Sequence, residues 1–131
     1  MKFHQRVART MPVPETAFRT YLRRLEEHRR ATFPRATEHT YRPALISLLE
    51  DHWRDARITN EGARIINCGA PDITVTRSGL PVGHIETKDI RDQLDRTEGT
   101  EQLRTYLSAL PNLILTDYLE FRWYVGGVRQ L

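Results

Sequence analysis

The sequence predicts an α/β (α+β) domain in which a mixed central sheet is flanked by helices. Three observations carry that expectation. Apolar residues recur every three or four positions through the first third of the chain, as on an amphipathic helix. The period then drops to two between residues 63 and 88, with turn residues between the runs. A further helical stretch separates that region from two more strand-like runs. Elements that interleave in this order bury their apolar faces against one another as stacked layers.

Residues 1–14 are expected to be an irregular lead-in, because Pro12 and Pro14 discourage regular structure. A single domain then covers residues 15–131. Phe18, Tyr21, Leu22 and Leu25 form the apolar stripe of a first helix, which Phe33-Pro34 breaks. A second helix is expected over residues 37–53, with Leu45, Leu48, Leu49 and Trp53 as its stripe; Pro43 fits only in its first turns, so the start can fall as late as Thr40. Residues 63–68 and 72–77 read as strands joined by Gly69-Ala70-Pro71. Ser78-Gly79-Leu80 is a hairpin turn, and residues 82–88 return as the next strand. Residues 99–110 form a helix that Pro111 ends, and residues 113–116 and 118–125 are two further strands.

At 131 residues the chain is long enough for one core without a metal or disulfide staple. Charged residues make up 28% and hydrophobic residues 39%, a globular composition that excludes a disordered tail. No apolar run approaches the roughly 20 residues that span a bilayer, so no membrane role is expected. The N-terminus lacks an apolar signal core, and Cys68 is the only cysteine, which excludes an internal disulfide and a cysteine-rich zinc site. A cytoplasmic location is the expectation. Residues 1–54 carry 11 basic and 6 acidic side chains, and the remainder carries 9 and 11. A basic N-terminal part suits a polyanion partner and equally suits a solvated helix face. Eighteen of the 20 basic residues are arginine, so Lys88, deep in the chain, draws attention as a compact cation able to change its protonation.

The central hairpin brings chemistry together. A turn centred on Gly79 sets Asp72 opposite Glu86, and directly opposed side chains have Cβ atoms about 4.5–5.5 Å apart. Lys88 follows Glu86 by two residues and shares its face of the sheet. Two carboxylates and an ammonium then converge, a set that suits a hard cation such as Mg²⁺ (or Mn²⁺) with waters and phosphate oxygens completing its shell. The same three residues also fit a solvated face in which Lys88 merely pairs with an acid. His84 lies on that face too, as a rim residue.

These residues carry a resemblance. Pro71-Asp72 followed by Glu86-Thr87-Lys88 resembles the signature of the PD-(D/E)xK nuclease superfamily, whose core order is helix, three strands, helix, strand. Glu38 occupies the place of that superfamily's upstream helical glutamate, and Gln102-Leu103-Arg104-Thr105-Tyr106 resembles the Q-x-x-x-Y element of RecB-like nucleases. Several segments in order are similar to the N-terminal nuclease domain of type ISP-like single-chain restriction-modification enzymes, which are adenine-methyltransferase fusions. They include Thr37-Glu38-His39-Thr40-Tyr41-Arg42-Pro43, Gly69-Ala70-Pro71-Asp72, Ile85-Glu86-Thr87-Lys88-Asp89-Ile90 and Leu110-Pro111-Asn112-Leu113-Ile114-Leu115-Thr116-Asp117-Tyr118. The resemblance spans about residues 34–124.

It implies a restriction-endonuclease-like core and a Mg²⁺-dependent DNA endonuclease that hydrolyses phosphodiester bonds, the cleavage module of a restriction-modification system. It also implies partners: DNA, and the methyltransferase, helicase and target-recognition parts of a longer protein or separate subunits. A truncated gene, an excised fragment and a stand-alone relative all fit. By position, Asp72 and Glu86 would be metal ligands with the Thr87 carbonyl as a third, and Lys88 would assist the attacking water. Glu38 would hold a second metal or a water on the first, and Gln102 and Tyr106 would support the site. For Glu38 a helix-dipole role and for Tyr106 a core role fit equally. Arg23, Arg24, Arg29, Arg30 and Arg35 are candidate DNA phosphate contacts, or simply a solubilising face. The chain has no G-x-x-x-x-G-K-[ST] phosphate loop. Rival functions are a catalytically silent DNA-binding or assembly module with the same fold, and a structure-specific resolvase. Nothing in the sequence decides DNA against RNA.

Overall fold

A computed structural model describes residues 14–35 and 37–131. The expected lead-in over residues 1–14 therefore lies, apart from Pro14, outside the described residues. Two helices come first, α1 (Glu15–Thr32) and α2 (Arg42–His52). Strands β1 (Arg57–Asn60), β2 (Ile73–Arg77) and β3 (Leu80–Thr87) follow. Helices α3 (Leu94–Glu98) and α4 (Glu101–Ala109) lead to β4 (Asn112–Thr116), β5 (Phe121–Val125) and β6 (Val128–Arg129). The strands form one six-stranded sheet in the order β1-β2-β3-β4-β5-β6. Only β3 and β4 run parallel; every other neighbouring pair is antiparallel. The parallel step needs a crossover, and α3 and α4 supply it. The fold is α+β with a mixed sheet flanked by helices, and it is restriction-endonuclease-like.

The sheet separates two cores. Tyr21 and Leu25 of α1 and Leu45, Leu48 and Leu49 of α2 pack on Ile73, Val75 and Ile85. On the other face Leu94, Leu103 and Tyr106 pack on Leu113, Leu115 and Tyr124. The alternation along each strand sends neighbouring residues into different cores, as the pleat requires. Among the described residues no helix is long and apolar enough to cross a membrane.

The structure corrects four expectations. Residues 63–68 are not a strand: Ile65 makes only an isolated bridge to Gly69, and Ile66 is 88% exposed. The apolar Ile65-Ile66 pair mimicked a strand, but Asn67 and Gly69 adopt positive φ and curl the chain back on itself. The strand that pairs with β2 is instead Arg57–Asn60, whose β-branched Ile58 and Thr59 suit it. On α1, Phe18 and Leu22 stay exposed, and Tyr21 and Leu25 are the residues the helix buries. The second helix begins at Arg42, with Pro43 in its first turn, and residues 37–40 form turns before it. The expected strand over residues 118–125 is shorter, since Tyr118 sits in a turn at φ 77° and β5 starts at Phe121.

Leu45 and Leu22 provide a test of these layers. Leu45 is fully buried, so Leu45→Ala is expected to cost about 2–5 kcal/mol in urea unfolding. Leu22→Ala, on the exposed side of the same layer, is expected to stay within about 0.5 kcal/mol.

Candidate active site

The site is set by the β2–β3 hairpin. Ser78 and Gly79 both take positive φ, at 51° and 80°, which is the backbone of a tight two-residue turn. Such a turn pairs Arg77 with Leu80 and Thr76 with Pro81. Continued unbroken, that register would set Asp72 opposite Ile85. A bulge intervenes. Val82 has no partner, and beyond it Val75 pairs with Gly83, Thr74 with His84 and Ile73 with Ile85. The next position therefore brings Asp72 to Glu86. The Asp72 N–H donates to Glu86 Oε1 at 3.2 Å.

Asp72 is clamped. Its Oδ2 accepts from both the main-chain N–H and the hydroxyl of Thr87, each at 2.8 Å. Its Oδ1 lies 3.2 Å from Arg42 Nη2. Arg42, in the first turn of α2, is 2% exposed, an unusual depth for a guanidinium. Its two terminal nitrogens reach Asn60 Oδ1 at 3.2 Å, Glu61 Oε1 at 3.4 Å and Thr87 Oγ1 at 3.4 Å, while its buried Nε has no partner among the described residues. A buried arginine of this kind stabilises only while its partners remain.

Glu86 lies between Asp72 and Lys88. It is 4% exposed, and its Oε2 is 3.5 Å from Lys88 Nζ. Lys88 Nζ also donates to Gln102 Oε1 at 3.4 Å, and Gln102 Nε2 donates to the Tyr106 hydroxyl at 3.4 Å. Gln102 and Tyr106 stand one turn apart on α4, on the same face. Burial, reinforced by the neighbouring Asp72 carboxylate and partly offset by Lys88, raises the Glu86 pKa to about 7. Burial, with Glu86 and Asp72 nearby, raises the Tyr106 hydroxyl to about 12, so it stays protonated.

The structure thus brings together Asp72, Glu86, Thr87, Lys88, Gln102 and Tyr106. Glu38 is not in that group. It lies in the turn before α2, its carboxylate 3.8 Å from His39 Nε2, and only its main-chain oxygen is tied in, accepting from the Tyr118 hydroxyl. His84 is buried at 8% exposure rather than at a rim. Arg23, Arg29 and Arg30 pair with Glu27 and Glu26 along the exposed face of α1. Arg24 and Asp51 line a common cavity, and Arg35 is exposed just beyond the helix. Sequence reasoning missed Arg42. Its nearest signal is the position before Pro43, at the start of a helix, which says nothing about burial.

The acid pair fits a hard divalent cation. The Glu86 carboxylate accepts from the main-chain N–H of Asp72, and its charge is poorly solvated and close enough to the Asp72 carboxylate to be opposed by it, a conflict that a cation relieves. Among the described residues no third Asp, Glu, His or Cys joins them. Mg²⁺ needs none, because it keeps several waters and commonly takes one or two carboxylates.

No protein-family model and no curated protein matches the sequence. Among solved structures the chain is similar to one described as the cryo-EM structure of a DrdV–DNA complex, with a TM-score of 0.73 and 22% identity. The match covers 88% of this chain and 12% of that one, so the chain spans about an eighth of its neighbour's length. The shared feature is the fold.

Two outcomes follow from the charges at the site. Arg42→Ala leaves the Asp72 carboxylate without its buried partner and is expected to lower unfolding stability by about 3–5 kcal/mol. Glu86 has a folded pKa of about 7 against an ordinary value of 4.5, so the folded state holds its proton more tightly. The stability this adds is complete below pH 4.5 and is lost as pH rises through 7. In EDTA, urea unfolding at pH 5 and pH 8 is expected to show that loss, on the order of 3 kcal/mol, and Glu86→Gln is expected to remove it.

Proposed function

We propose that this chain is a metal-dependent DNA endonuclease domain, the cleavage module of a restriction-modification system of the type ISP-like kind. The observation that carries the reading is the Asp72–Glu86 pair, with Lys88 Nζ 3.5 Å from Glu86, held at the end of a bulged hairpin. The likeness of fold to a protein solved in complex with DNA supports DNA as the substrate. In this reading Asp72 and Glu86 hold a divalent cation, Mg²⁺ or Mn²⁺, with the main-chain oxygen of Thr87 as a further donor. When bound, the ion supplies an acidified water and charge neutralisation at the scissile phosphate.

The chain's own groups have separate tasks. Thr87 fixes the aim of Asp72 through two hydrogen bonds, so that the carboxylate need not reorganise during reaction. Arg42 balances the charge of Asp72 from α2. Lys88 is held by two long contacts, which leaves its ammonium able to swing to a phosphate oxygen or to orient the attacking water. Gln102 limits that swing and is itself anchored on the Tyr106 hydroxyl. The other parts of such a system, for methylation, translocation and target recognition, would belong to further domains or subunits.

Nicking of supercoiled plasmid by the purified chain tests this. With Mg²⁺ or Mn²⁺ the wild type is expected to nick and linearise the plasmid, and EDTA to stop it. Asp72→Ala and Lys88→Ala are each expected to slow cleavage by about 100-fold or more. A folded wild type that neither cleaves nor binds Mg²⁺ by calorimetry with DNA present would reject the endonuclease and leave a silent module.

A further inference from the structure

Beside the carboxylate pair lies a polar cavity of about 420 Å³. Lys88 and Gln102 form the wall it shares with the pair, and the chain between β3 and α4 encloses the rest. Its lining carries three cations, Lys88, Arg91 and Arg96, against one carboxylate, Asp92. Arg91 directs Nε and Nη2 to Asp89, at 3.3 and 3.1 Å, and is 74% exposed, so donors of its five-proton fork remain for a ligand. Arg96 is exposed, and among the described residues no carboxylate engages it. Gln93 adds an amide to the same wall.

The five arginines expected to grip DNA offer less. On α1, Arg23, Arg29 and Arg30 share two carboxylates, Glu27 and Glu26, and none of the five lines the basin beside the acids. The cavity is the better anion site, being concave, rich in donors and adjacent to the acids.

We propose that this basin binds the phosphodiester next to the scissile one, with Arg91 and Arg96 as its contacts, and so sets the path of the DNA strand across Asp72 and Glu86. The inference rests on the endonuclease reading and adds to it where the strand runs. A chain that passes the carboxylate pair and crosses Lys88 enters the basin directly. The basin reads no bases; its contacts position the backbone and leave sequence choice to other surfaces.

Binding of a fluorescein-labelled DNA duplex in EDTA, where no cleavage occurs, separates the possibilities. The double variant Arg91→Gln/Arg96→Gln is expected to raise Kd about tenfold at 0.1 M salt and to flatten the slope of log K against log salt by about 2. Arg19→Gln/Arg57→Gln, which removes two exposed charges that do not line the basin, is expected to bind as the wild type does. Both arginines of the basin are exposed, so the melting temperature of the first variant is expected to hold. If the basin variant binds with wild-type affinity and slope while the wild type still nicks plasmid, the basin proposal is overturned and the endonuclease stands. If wild type neither binds duplex nor nicks plasmid, both fall.

Discussion

The Asp72 carboxylate is the latch on which the site depends. One oxygen is held by the N–H and hydroxyl of Thr87 on β3, and the other by Arg42 on α2. One side chain therefore ties the end of a hairpin to a helix packed on the opposite side of the sheet from α4. The tie works only because Val82 bulges. Without that extra residue the tight turn at Ser78-Gly79 would present Ile85 to Asp72, and the acid pair would be lost to a slip of one residue. A bulge beside a constellation of acids is thus a structural requirement, not an irregularity of the strand.

Charge in the site divides into a fixed part and a movable part. Arg42 and Asp72 are bound to each other and to Thr87. Glu86 and Lys88 are separated by 3.5 Å, and Lys88 also reaches Gln102 only at 3.4 Å. Contacts of that length are weak, so the ammonium is available to a ligand in a way the guanidinium is not. The single interior lysine in a chain otherwise built with arginine sits where a mobile, compact cation is useful and a rigid fork is not. In the proposed reaction this is the difference between a group that holds the acids in place and one that meets the phosphate.

Much of this was legible in the sequence because it depends on local spacing. The two-residue offset between Glu86 and Lys88 fixes their shared face, and the four-residue offset between Gln102 and Tyr106 fixes theirs. The opposition of Asp72 and Glu86 was also legible, though for an incomplete reason. A turn centred on Gly79 gives the same pairing at Asp72 as the tight turn plus the Val82 bulge, and nothing in the sequence distinguishes the two. What remained illegible depends on contacts between residues far apart in the chain. Arg42 meets Asn60, Glu61, Asp72 and Thr87, four partners that periodicity cannot link to it. The helical placement of Glu38 differs from the structure for the same reason. A glutamate close before a helix reads as helical, but the turns over residues 37–40 tie its main chain to Tyr118 and leave its carboxylate beside His39. The false strand at residues 63–68 came from two adjacent isoleucines, of which only Ile65 finds a core to enter.

The topology explains why acids, lysine and basin occur together. β3 must cross over to its parallel neighbour β4, and the crossover begins where the strand ends, immediately after Glu86-Thr87-Lys88. The Lys88 N–H still donates to Thr116 on β4 at 2.8 Å, so the lysine is the last residue the sheet holds. From there the chain turns through Arg91 and Arg96 before α4 returns and brings Gln102 back to Lys88. The loop that the parallel connection demands is therefore also the wall of the basin. Substitutions in it can change how a polyanion is held without disturbing either core, because its arginines face solvent while Leu94 and Leu103 carry the packing. A fold with an antiparallel β3–β4 pair could join the strands by a short turn, and would have neither the loop nor the cavity.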